Sequence, residues 1–200
     1  VCDLFSGSAR VGHALKKAGY RVWSNDHNAY AHVLATAYVQ ADRERLLERA
    51  EGVLAELRAV KPEGGWFTRT FCEEARYFTP ENGARIDAMR ERIAAMALEP
   101  ELEAIALVSL MEAADRVDST AGLQMAYMKS WASRALKPLE LRMPEVLPGV
   151  AAGPCRATRA DAVEIAPQIE ADLVYLDPPY NQHSYLGNYH CWESLVLWDK

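Results

Sequence analysis

The sequence lacks the features that mark several large classes of protein. Its four cysteines are scattered, with no CxxC pair and no neighbouring histidine at zinc-ligand spacing. It has no basic and then apolar leader at its start, and no run that approaches the roughly 20 apolar residues of a membrane-spanning helix. Internal repeats and low-complexity tracts are also missing. These absences predict a reduced, cytoplasmic chain with no structural metal and no membrane association.

An excess of basic residues is missing as well. Lys and Arg total 22 against 28 Asp and Glu, which gives a formal net charge of -6. Because phosphate contacts dominate affinity for DNA, this balance mildly disfavours a nucleic-acid partner. It excludes none, since a basic groove can lie on an acidic body. Half of the 200 residues are apolar, which is enough for one sizeable core, with or without a large insertion.

An initiator methionine is the last missing feature. The first residues, VCDLF, already have the pattern of a strand. The last residues, ESLVLWDK, end inside a predicted helix. We therefore expect the sequence to be a fragment of a longer protein.

The first 25 residues alternate between strand and helix patterns. Residues 1–5 are an apolar run that breaks at Gly7, and apolar residues then recur at helical spacing over 9–18. Gly19 ends that helix, and residues 20–25 have the pattern of a second strand. A strand, a glycine-containing turn, a helix and a strand form a βαβ unit, which predicts an α/β fold with a mainly parallel sheet.

The middle of the chain has a different pattern. Residues 30–60 and a segment that begins at Thr79 both show helical spacing, and a further helix is predicted over about 123–136. This block contains no convincing strand. We therefore expect a helical insertion at 41–149 that interrupts a core formed by 1–40 and 150–200.

A second informative strand precedes a proline-rich tetrapeptide. Residues 172–176 form a continuous apolar run of the kind found in central parallel strands, and Asp177-Pro178-Pro179-Tyr180 follows directly. Two consecutive prolines hold the backbone extended, so that the Asp177 carboxylate, the Pro178 carbonyl and the Tyr180 ring are presented rigidly. Ligands bind at this end of the strands in open α/β sheets.

This arrangement suits a planar exocyclic amine. A carboxylate and a carbonyl can accept both hydrogens of the amine and favour a pyramidal nitrogen whose lone pair is free to attack, while the aromatic ring stacks on the base. The alternative interpretation is a proline-rich turn with a capping aspartate.

Two features near the start suggest a nucleotide-like ligand. Gly7 lets the backbone approach a ligand at the start of a helix, although any tight βα turn has the same pattern. Asp26 follows the second strand, where an acidic residue can bind ribose hydroxyls, or can instead cap the next helix. Gly7 and Gly12 give GxxxxG, which matches neither a dinucleotide fingerprint nor a P-loop.

Taken together, DLFSGSA, Asn25-Asp26 and LVYLDPPY resemble the Dam-like alpha group of DNA adenine-N6 methyltransferases. The order of the motifs and the long gap between them match that group. The likeness extends into EEARYFTPENGARIDAMR and DPPYNQHSYLGNYHCWESLVLWD, and therefore covers most of the chain. One departure is Ala9, which stands where the family often has the second glycine of FxGxG. We expect cofactor binding to survive this change, with a slightly altered turn.

The resemblance implies a Rossmann-like core that binds S-adenosyl-L-methionine, with the insertion as target-recognition region. Four residues would line the methionine side of the cofactor: Asp3, Phe5, Gly7 and Ser8. Asp26 would bind its ribose and Asp161 its adenine amine. Asp177, Pro178 and Tyr180 would hold the target adenine, and Asp177 would also contact the cofactor.

The implied activity is site-specific methylation of adenine N6 in double-stranded DNA, in a bacterial, archaeal or phage-encoded protein. The resemblance also admits a cognate restriction endonuclease as a partner. Two alternatives stay open: an RNA base methyltransferase, which the long insertion disfavours, and a DNA-binding module that keeps the fold without catalysis.

Other polar residues have both a functional and a structural interpretation. Five cations could contact phosphates or form a solvated helical face: Arg69, Arg76, Lys129, Arg134 and Lys137. Four residues after the tetrapeptide could cover the target base or form a mobile loop: Asn181, His183, Tyr185 and Tyr189. The histidines at 13, 27, 32 and 190 are more typical of capping or packing than of catalysis.

Overall fold

The computed structural model describes residues 1–180 and 185–200, and it separates into two compact units. The first unit comprises Val1–Ala50, Glu99–Val108 and Met143–Asn181. The second comprises Glu51–Leu98, Ser109–Arg142 and Gln182–Lys200. The boundaries of these two units differ from those predicted for the core (1–40 and 150–200) and for the insertion (41–149). No observation here tests the predicted division into core and insertion, which stays a prediction.

Four parallel strands form the sheet of the first unit. They are β1 (Cys2–Asp3), β2 (Trp23–Asp26), β3 (Arg156–Arg159) and β4 (Val174–Tyr175), in the order β3-β2-β1-β4. In the register, Asp3 lies opposite Ser24 on one side and Tyr175 on the other. The helices that connect the strands complete an α/β fold, which confirms the predicted Rossmann-like class with a parallel sheet.

The strand order creates a crevice at one end of the sheet. From β1 the chain moves to β2 and β3 on one side, and it returns to place β4 on the other side of β1. The direction of winding therefore reverses between β1 and β4. In open α/β sheets, ligands bind at the carboxyl ends of strands at such a reversal.

The helices of this unit are short. The whole helices of this unit are α1 (Arg10–Lys17), α2 (Ala29–Ala35) and α7 (Ala162–Ile165), and the first parts of α3 (Arg43–Ala59) and α6 (Pro100–Asp115) also belong to it. Helix α2 continues as a π-helix (Thr36–Gln40), and α7 continues as a 3-10 helix (Ala166–Gln168). The π-helix ends at Gln40, whose Oε1 accepts a hydrogen bond of 2.9 Å from the main-chain N–H of Ala157 on β3. This bond satisfies a polar group of a strand whose one partner among the described strands is β2.

Helix α1 approaches the sheet closely at Gly12. A Cβ at this position would lie 2.6 Å from Ser24 Oγ and 2.9 Å from Val39 Cγ2. Both distances are shorter than real carbon contacts allow, so a larger residue would push the helix away from β1 and β2. Glycine is therefore required for packing here, which the GxxxxG spacing did not reveal.

The second unit is helical. It contains the remainder of α3, α4 (Trp66–Thr68), which continues as a π-helix (Arg69–Glu73), α5 (Pro80–Met96), the remainder of α6 and α8 (Tyr185–Leu197). Helix α5 begins with Pro80 after Thr79, whose Oγ1 accepts the N–H of Asn82. Helix α8 is kinked at Tyr189, where φ is -134°.

The prediction of a helix over residues 123–136 was wrong. The described segment is irregular, with one antiparallel bridge between Thr120 and Tyr127. Gly122 adopts a φ of +111°, and the Thr120 hydroxyl donates to Asp118 while accepting the N–H of Gly122. Such local side-chain hydrogen bonds compete with helix formation and outweigh the apolar spacing.

Part of the apolar run before the tetrapeptide forms β4, parallel to β1, as its pattern predicts. Strand β4 pairs only with β1 and lies at the edge of the described sheet. The apolar side chains of Leu173 and Leu176 are 56% and 60% exposed, because no described element covers either face of this strand.

Among the described helices, none combines the length and the apolar character needed to cross a membrane. Within residues 1–180 and 185–200, no group of three or more His, Cys, Asp or Glu side chains is placed to hold a metal ion.

Candidate functional site

The turn that follows β1 is anchored to the end of β2. The N–H of Ser6 donates to the Asn25 carbonyl at 2.9 Å, and the N–H of Gly7 donates to Asp26 Oδ2 at 2.8 Å. Gly7 and Ala9 both adopt left-handed backbone, with φ of +49° and +58°. The conformation at Ala9 favours glycine, so alanine is accommodated here at a steric cost of about 1 kcal/mol.

Asp26 has a structural role in this turn. Besides the N–H of Gly7, its carboxylate accepts the main-chain N–H and the side-chain Nδ2 of Asn28, each at 3.0 Å. The first bond fixes the position of the glycine turn, and the others form the turn that leads into α2. Oδ1 accepts both bonds from Asn28 and Oδ2 accepts only that from Gly7, so one lone pair of Oδ2 is left for a ribose hydroxyl. The ribose role remains a prediction.

Asp3 is the most unusual side chain of the site. Its residue surface is only 1% exposed, and neither carboxyl oxygen has a hydrogen-bond partner of normal geometry among the described residues. Burial raises the pKa of the Asp3 carboxyl to about 6, opposed by the nearby main-chain amide of Gly12. The negative charges of Asp26 and Asp177 contribute to this rise in the pKa. A buried carboxylate without a partner is costly, and such groups are typical of functional sites.

Two nearby hydroxyl groups, Ser6 Oγ and Ser24 Oγ, are also buried without a hydrogen-bond partner among the described residues. Ser6 belongs to the turn, and Ser24 lies opposite Asp3 in the strand register. The sequence motif contained Ser6, but no pattern indicated that Ser24 belongs to the same polar cluster.

Asn25 is a second buried polar residue whose structural role the sequence motifs did not indicate. It is 1% exposed, and its Nδ2 donates to the carbonyls of Leu4 and Ala160 at 3.3 and 3.1 Å. Its Oδ1 accepts the hydroxyl of Thr158 at 2.8 Å. Asn25 therefore holds the ends of β1, β2 and β3 together, a task that Asp could not perform because it has no donor when ionised.

Asp161 lies at the rim of an open cleft of about 510 Å³. The cleft is lined by His27, Arg159, Ala160, Asp161 and Glu164. Asp161 also caps α7, since its Oδ1 accepts the N–H of Val163 at 2.8 Å. The cleft has the size of a ligand pocket, and the second carboxylate oxygen of Asp161 is not used by that cap.

The tetrapeptide after β4 is exposed along its whole length. All four residues from Asp177 to Tyr180 are exposed, and the Tyr180 ring is 87% exposed. Asp177 is nevertheless close enough to Asp3 for its charge to raise the pKa of that carboxyl. The side chains of Asn181 and His183, and that of Tyr185, lie outside the described residues.

Three carboxylates thus converge on the crevice, at the ends of neighbouring strands. Asp3 ends β1, Asp26 ends β2, and Asp177 follows β4, while Gly7 is bonded to Asp26. Asp161 follows β3, next to Ala160, whose N–H donates to the Asp26 carbonyl, and it lines a cleft that contains none of these three carboxylates. Of the remaining predicted residues, Phe5 packs against Cys2, Leu4 and Ile165, and Ser8 is exposed.

Two of the cations proposed as phosphate contacts are engaged within the chain. Arg76 lies over the ring of Trp131 at 4.6 Å and donates to the Lys129 carbonyl. Arg134 pairs with Asp118 at 2.6 Å. The charges of Arg76 and Arg134 therefore stabilise the local structure of the second unit. Arg69, Lys129 and Lys137 are exposed.

The Asp3 carboxyl predicts a pH-dependent stability. Because its folded pKa is raised, the folded protein holds this proton over a pH range in which the unfolded chain has lost it, and stability falls as pH rises from about 4 to 6. Asp3→Asn removes this penalty, so we expect the variant to be more stable by about 1–2 kcal/mol at pH 8 and equal to wild type near pH 4. Urea unfolding at both pH values measures the difference. Asp172→Asn, at an exposed position, serves as control, and an equal gain at both pH values would contradict the prediction.

Comparison with known proteins identifies the relatives of this chain. The family described as D12 class N6 adenine-specific DNA methyltransferase matches residues 1–200. Type II methyltransferase M.NlaIII of Neisseria lactamica is 34% identical over 99% of the chain and 60% of its own length. Type II methyltransferase M.FokI of Planomicrobium okeanokoites is 32% identical, over 98% of the chain and 32% of its own length.

A viral relative shows similar coverage. Type II methyltransferase M.CviAII of Paramecium bursaria Chlorella virus 1 is 31% identical over 97% of the chain and 60% of its own length. The chain therefore spans between about a third and three fifths of the curated relatives described here. No solved structure matches it.

Proposed function

Because the chain belongs to the family of D12 class N6 adenine-specific DNA methyltransferases, we propose that the protein transfers a methyl group from S-adenosyl-L-methionine to N6 of a specific adenine in duplex DNA. The observation that carries the proposal is the convergence of Asp3, Asp26 and Asp177 on the crevice at the carboxyl end of the sheet. The exposed Tyr180 at the same strand end adds a platform for a base.

The residues of the crevice fit the proposed cofactor. S-Adenosyl-L-methionine carries a sulfonium and an ammonium, and when bound it supplies a methyl group that is already activated. The buried Asp3 carboxylate has no hydrogen-bond partner of normal geometry among the described residues and is repelled by Asp26 and Asp177. A cation in this crevice relieves that repulsion, so the acidic cluster favours a positively charged ligand over a neutral or anionic one.

Further residues are assigned to the remaining parts of the cofactor. Asp26 binds a ribose hydroxyl with the Oδ2 lone pair that its bonds to Gly7 and Asn28 leave available. Asp161 accepts the adenine amine at the rim of the 510 Å³ cleft. Gly7 and Ser8 approach the methionine part, and the space beside Gly7 is open, since a Cβ there would lie within 4 Å of no protein atom outside its chain neighbours.

Asp177, Pro178 and Tyr180 hold the target base. The Asp177 carboxylate and the Pro178 carbonyl accept the two amine hydrogens, and the Tyr180 ring stacks on the base. No strong base is required, because alignment and fixed acceptors supply the main part of catalysis. The methylated amine is more acidic than the starting amine, and it releases its extra proton to solvent. A base in a duplex must first leave the stack, and stacking on Tyr180 offsets part of that cost.

Site-specific methylation in a restriction–modification setting is the biological role that we propose. The relatives carry names such as type II methyltransferase and modification methylase. A cognate restriction endonuclease is then the expected partner, and the cytoplasm the expected location. Helices of the region 41–149 are proposed to contribute to target recognition.

A methyl-transfer assay tests the proposed reaction. The full-length protein is incubated with S-adenosylmethionine labelled at the methyl group and with either duplex DNA of mixed sequence or RNA, and the labelled nucleoside is then identified. We expect label in N6-methyladenine of the DNA alone. Label that appears only in RNA would support the RNA alternative, and label in neither nucleic acid would support a module without catalysis.

A further inference from the structure

One face of the paired strands β2 and β3 carries a row of linked side chains. Trp23 and Asn25 point to the same face of β2, because alternate residues of a strand do so. In the register of the two strands, Trp23 lies opposite Arg156 and Asn25 lies opposite Thr158. The guanidinium carbon of Arg156 lies 4.3 Å from the centre of the Trp23 ring, which orients the indole. We call Trp23, Thr158 and Asn25 the polar row.

The hydrogen bonds of the polar row have only one possible direction. Trp23 Nε1 donates to Thr158 Oγ1 at 2.9 Å, and an indole N–H can do nothing but donate. The Thr158 hydroxyl therefore accepts from Trp23 and keeps its own hydrogen for Asn25 Oδ1, at 2.8 Å. An amide oxygen can only accept, so this bond fixes which end of the Asn25 amide faces Thr158.

The other end of the Asn25 amide joins two strand ends. Its Nδ2 donates to the carbonyls of Leu4 and Ala160, at 3.3 and 3.1 Å. These residues directly follow β1 and β3, beyond the last paired positions. An amide turned the other way would place Oδ1 against two carbonyl oxygens, with no hydrogen between them. The direction set by Trp23 and Thr158 is thus the one that lets Asn25 join the strand ends.

The main chain beside Asn25 completes the connection. The N–H of Ala160 donates to the Asp26 carbonyl at 3.1 Å, and the N–H of Ser6 donates to the Asn25 carbonyl at 2.9 Å. Ala160 is therefore held through its N–H by Asp26 and through its carbonyl by Asn25. Asp161 follows Ala160, so the end of β2 determines where this carboxylate begins its own path.

Asn25 itself has no access to a ligand. It is 1% exposed, whereas Thr158 and Trp23 are partly buried. A buried polar network in which each donor is used holds its members in one arrangement. Any effect of the polar row on a ligand therefore passes through the residues that it holds in place.

We propose that the polar row positions the two groups that receive the nucleoside half of S-adenosylmethionine, with Thr158 as the residue that sets its direction. This inference rests on the proposed function. The Asp161 carboxylate lines a cleft that does not include Asp26, so their separation depends on how the ends of β2 and β3 are joined. Ribose and adenine have a fixed separation, and a displacement of about 1 Å is enough to weaken binding at such a site.

The first test removes the Thr158 hydroxyl from the full-length protein. Thr158→Val keeps the shape but leaves Trp23 Nε1 without an acceptor and Asn25 Oδ1 without a donor. We expect it to raise the KM for S-adenosylmethionine by about tenfold and to change kcat by less than about threefold, since no group at the reacting atoms is altered. Thr158→Ser restores both bonds and is expected to restore the wild-type KM.

A matched control separates this effect from the loss of any hydroxyl. Thr36 is buried, and its Oγ1 donates to the His32 carbonyl of its own helical segment at 2.8 Å. Thr36→Val is therefore expected to keep the wild-type KM. Methyl transfer measured over a range of S-adenosylmethionine concentrations gives KM and kcat, and thermal unfolding gives the Tm of each variant.

A second measurement locates the effect within the ligand. S-Adenosylhomocysteine has both halves of the cofactor, whereas methylthioadenosine has the nucleoside without the amino acid. Isothermal titration calorimetry with Thr158→Val is expected to show the same loss of affinity, about tenfold, for both ligands. A loss confined to S-adenosylhomocysteine would overturn the assignment to the nucleoside half.

Asn25→Asp provides an independent variant of nearly the same size. An ionised aspartate still accepts from Thr158 but offers no donor to the Leu4 and Ala160 carbonyls. We expect a rise in the KM for S-adenosylmethionine at least as large as that in Thr158→Val. A folded Asn25→Asp variant with the wild-type KM would contradict the positioning role, even if Thr158→Val did not fold.

Three further results would overturn the inference while leaving the proposed function in place. One is a lower Tm with an unchanged KM in Thr158→Val, which would show that the polar row supports only the fold. Another is a loss of kcat without a change in KM, and the third is an equal rise in KM in Thr36→Val. Wild-type protein that neither bound S-adenosylmethionine nor transferred methyl groups would overturn the proposed function, and this inference with it.

Discussion

Asp177→Ala is expected to lower the rate of methyl transfer to duplex DNA by on the order of 10³-fold, in a protein that still folds. Asp177 is exposed beyond the short strand β4, so its side chain contributes little to packing. In the proposed mechanism its carboxylate accepts one hydrogen of the target amine. Alanine leaves that hydrogen without an acceptor and also removes one charge of the acidic cluster beside Asp3. Single-turnover rates at saturating cofactor isolate the chemical step.

Matched variants make the result specific. Asp172→Ala removes an equally exposed carboxylate five residues earlier and is expected to keep wild-type rates. Asp177→Asn retains one acceptor and adds a donor that repels the amine, so its rate should lie close to that of the alanine variant. If Asp177→Ala transferred methyl groups as wild type does, the assigned role of the tetrapeptide would be wrong.

Asp26→Ala is expected to weaken the binding of S-adenosylmethionine by about 100-fold or more. Two effects combine, since the proposed ribose contact is lost and the N–H groups of Gly7 and Asn28 lose their acceptor. Each unsatisfied polar group costs about 1–3 kcal/mol, and every 1.4 kcal/mol corresponds to a factor of ten in affinity. Isothermal titration calorimetry gives the dissociation constant, and thermal unfolding gives the accompanying loss of stability.

A double-mutant cycle separates the ribose contact from the structural bonds. Wild type and Asp26→Ala are compared for S-adenosylmethionine and for an analogue without ribose hydroxyls. If Asp26 binds the ribose, the analogue weakens binding to wild type far more than to the variant. Equal losses of affinity in both proteins would show that Asp26 does not bind the ribose and acts only by holding the turn. Asp42→Ala is the control for lost turn bonds, because Asp42 likewise accepts the main-chain N–H groups of two residues, Glu44 and Gly149.

The local chemistry of the turns and strand ends was predictable. Gly7, Asn25-Asp26 and Asp177 follow apolar runs of strand length, and a parallel sheet brings the carboxyl ends of such runs to one edge. The structure accordingly bonds Gly7 to Asp26 and brings the charges of Asp26 and Asp177 near Asp3. Periodicity and motif order were sufficient because each of these features depends on a few consecutive residues.

Residues 123–136 were not predictable in the same way. Their apolar spacing indicates a helix, but long-range bonds decide the conformation. Gln124 bonds to the main chain of α8 more than 60 residues later, and Arg134 bonds to Asp118 and Thr120. Partners so distant in sequence leave no periodic signal, and tertiary contacts commonly override local propensity.

By itself, the sequence determined the parallel α/β class, the family and the tetrapeptide that follows β4, because these depend on short motifs and on the repeat of apolar residues. Only the tertiary structure decided that Asp3 is a buried carboxyl with no hydrogen-bond partner of normal geometry in the described part of the chain, and with a pKa raised to about 6. It also decided that Gly12 must be glycine, and that a loop rather than a helix presents Leu123 and Met125. The physical reason is that burial, close approach and unpaired polar atoms depend on residues that are distant in the chain.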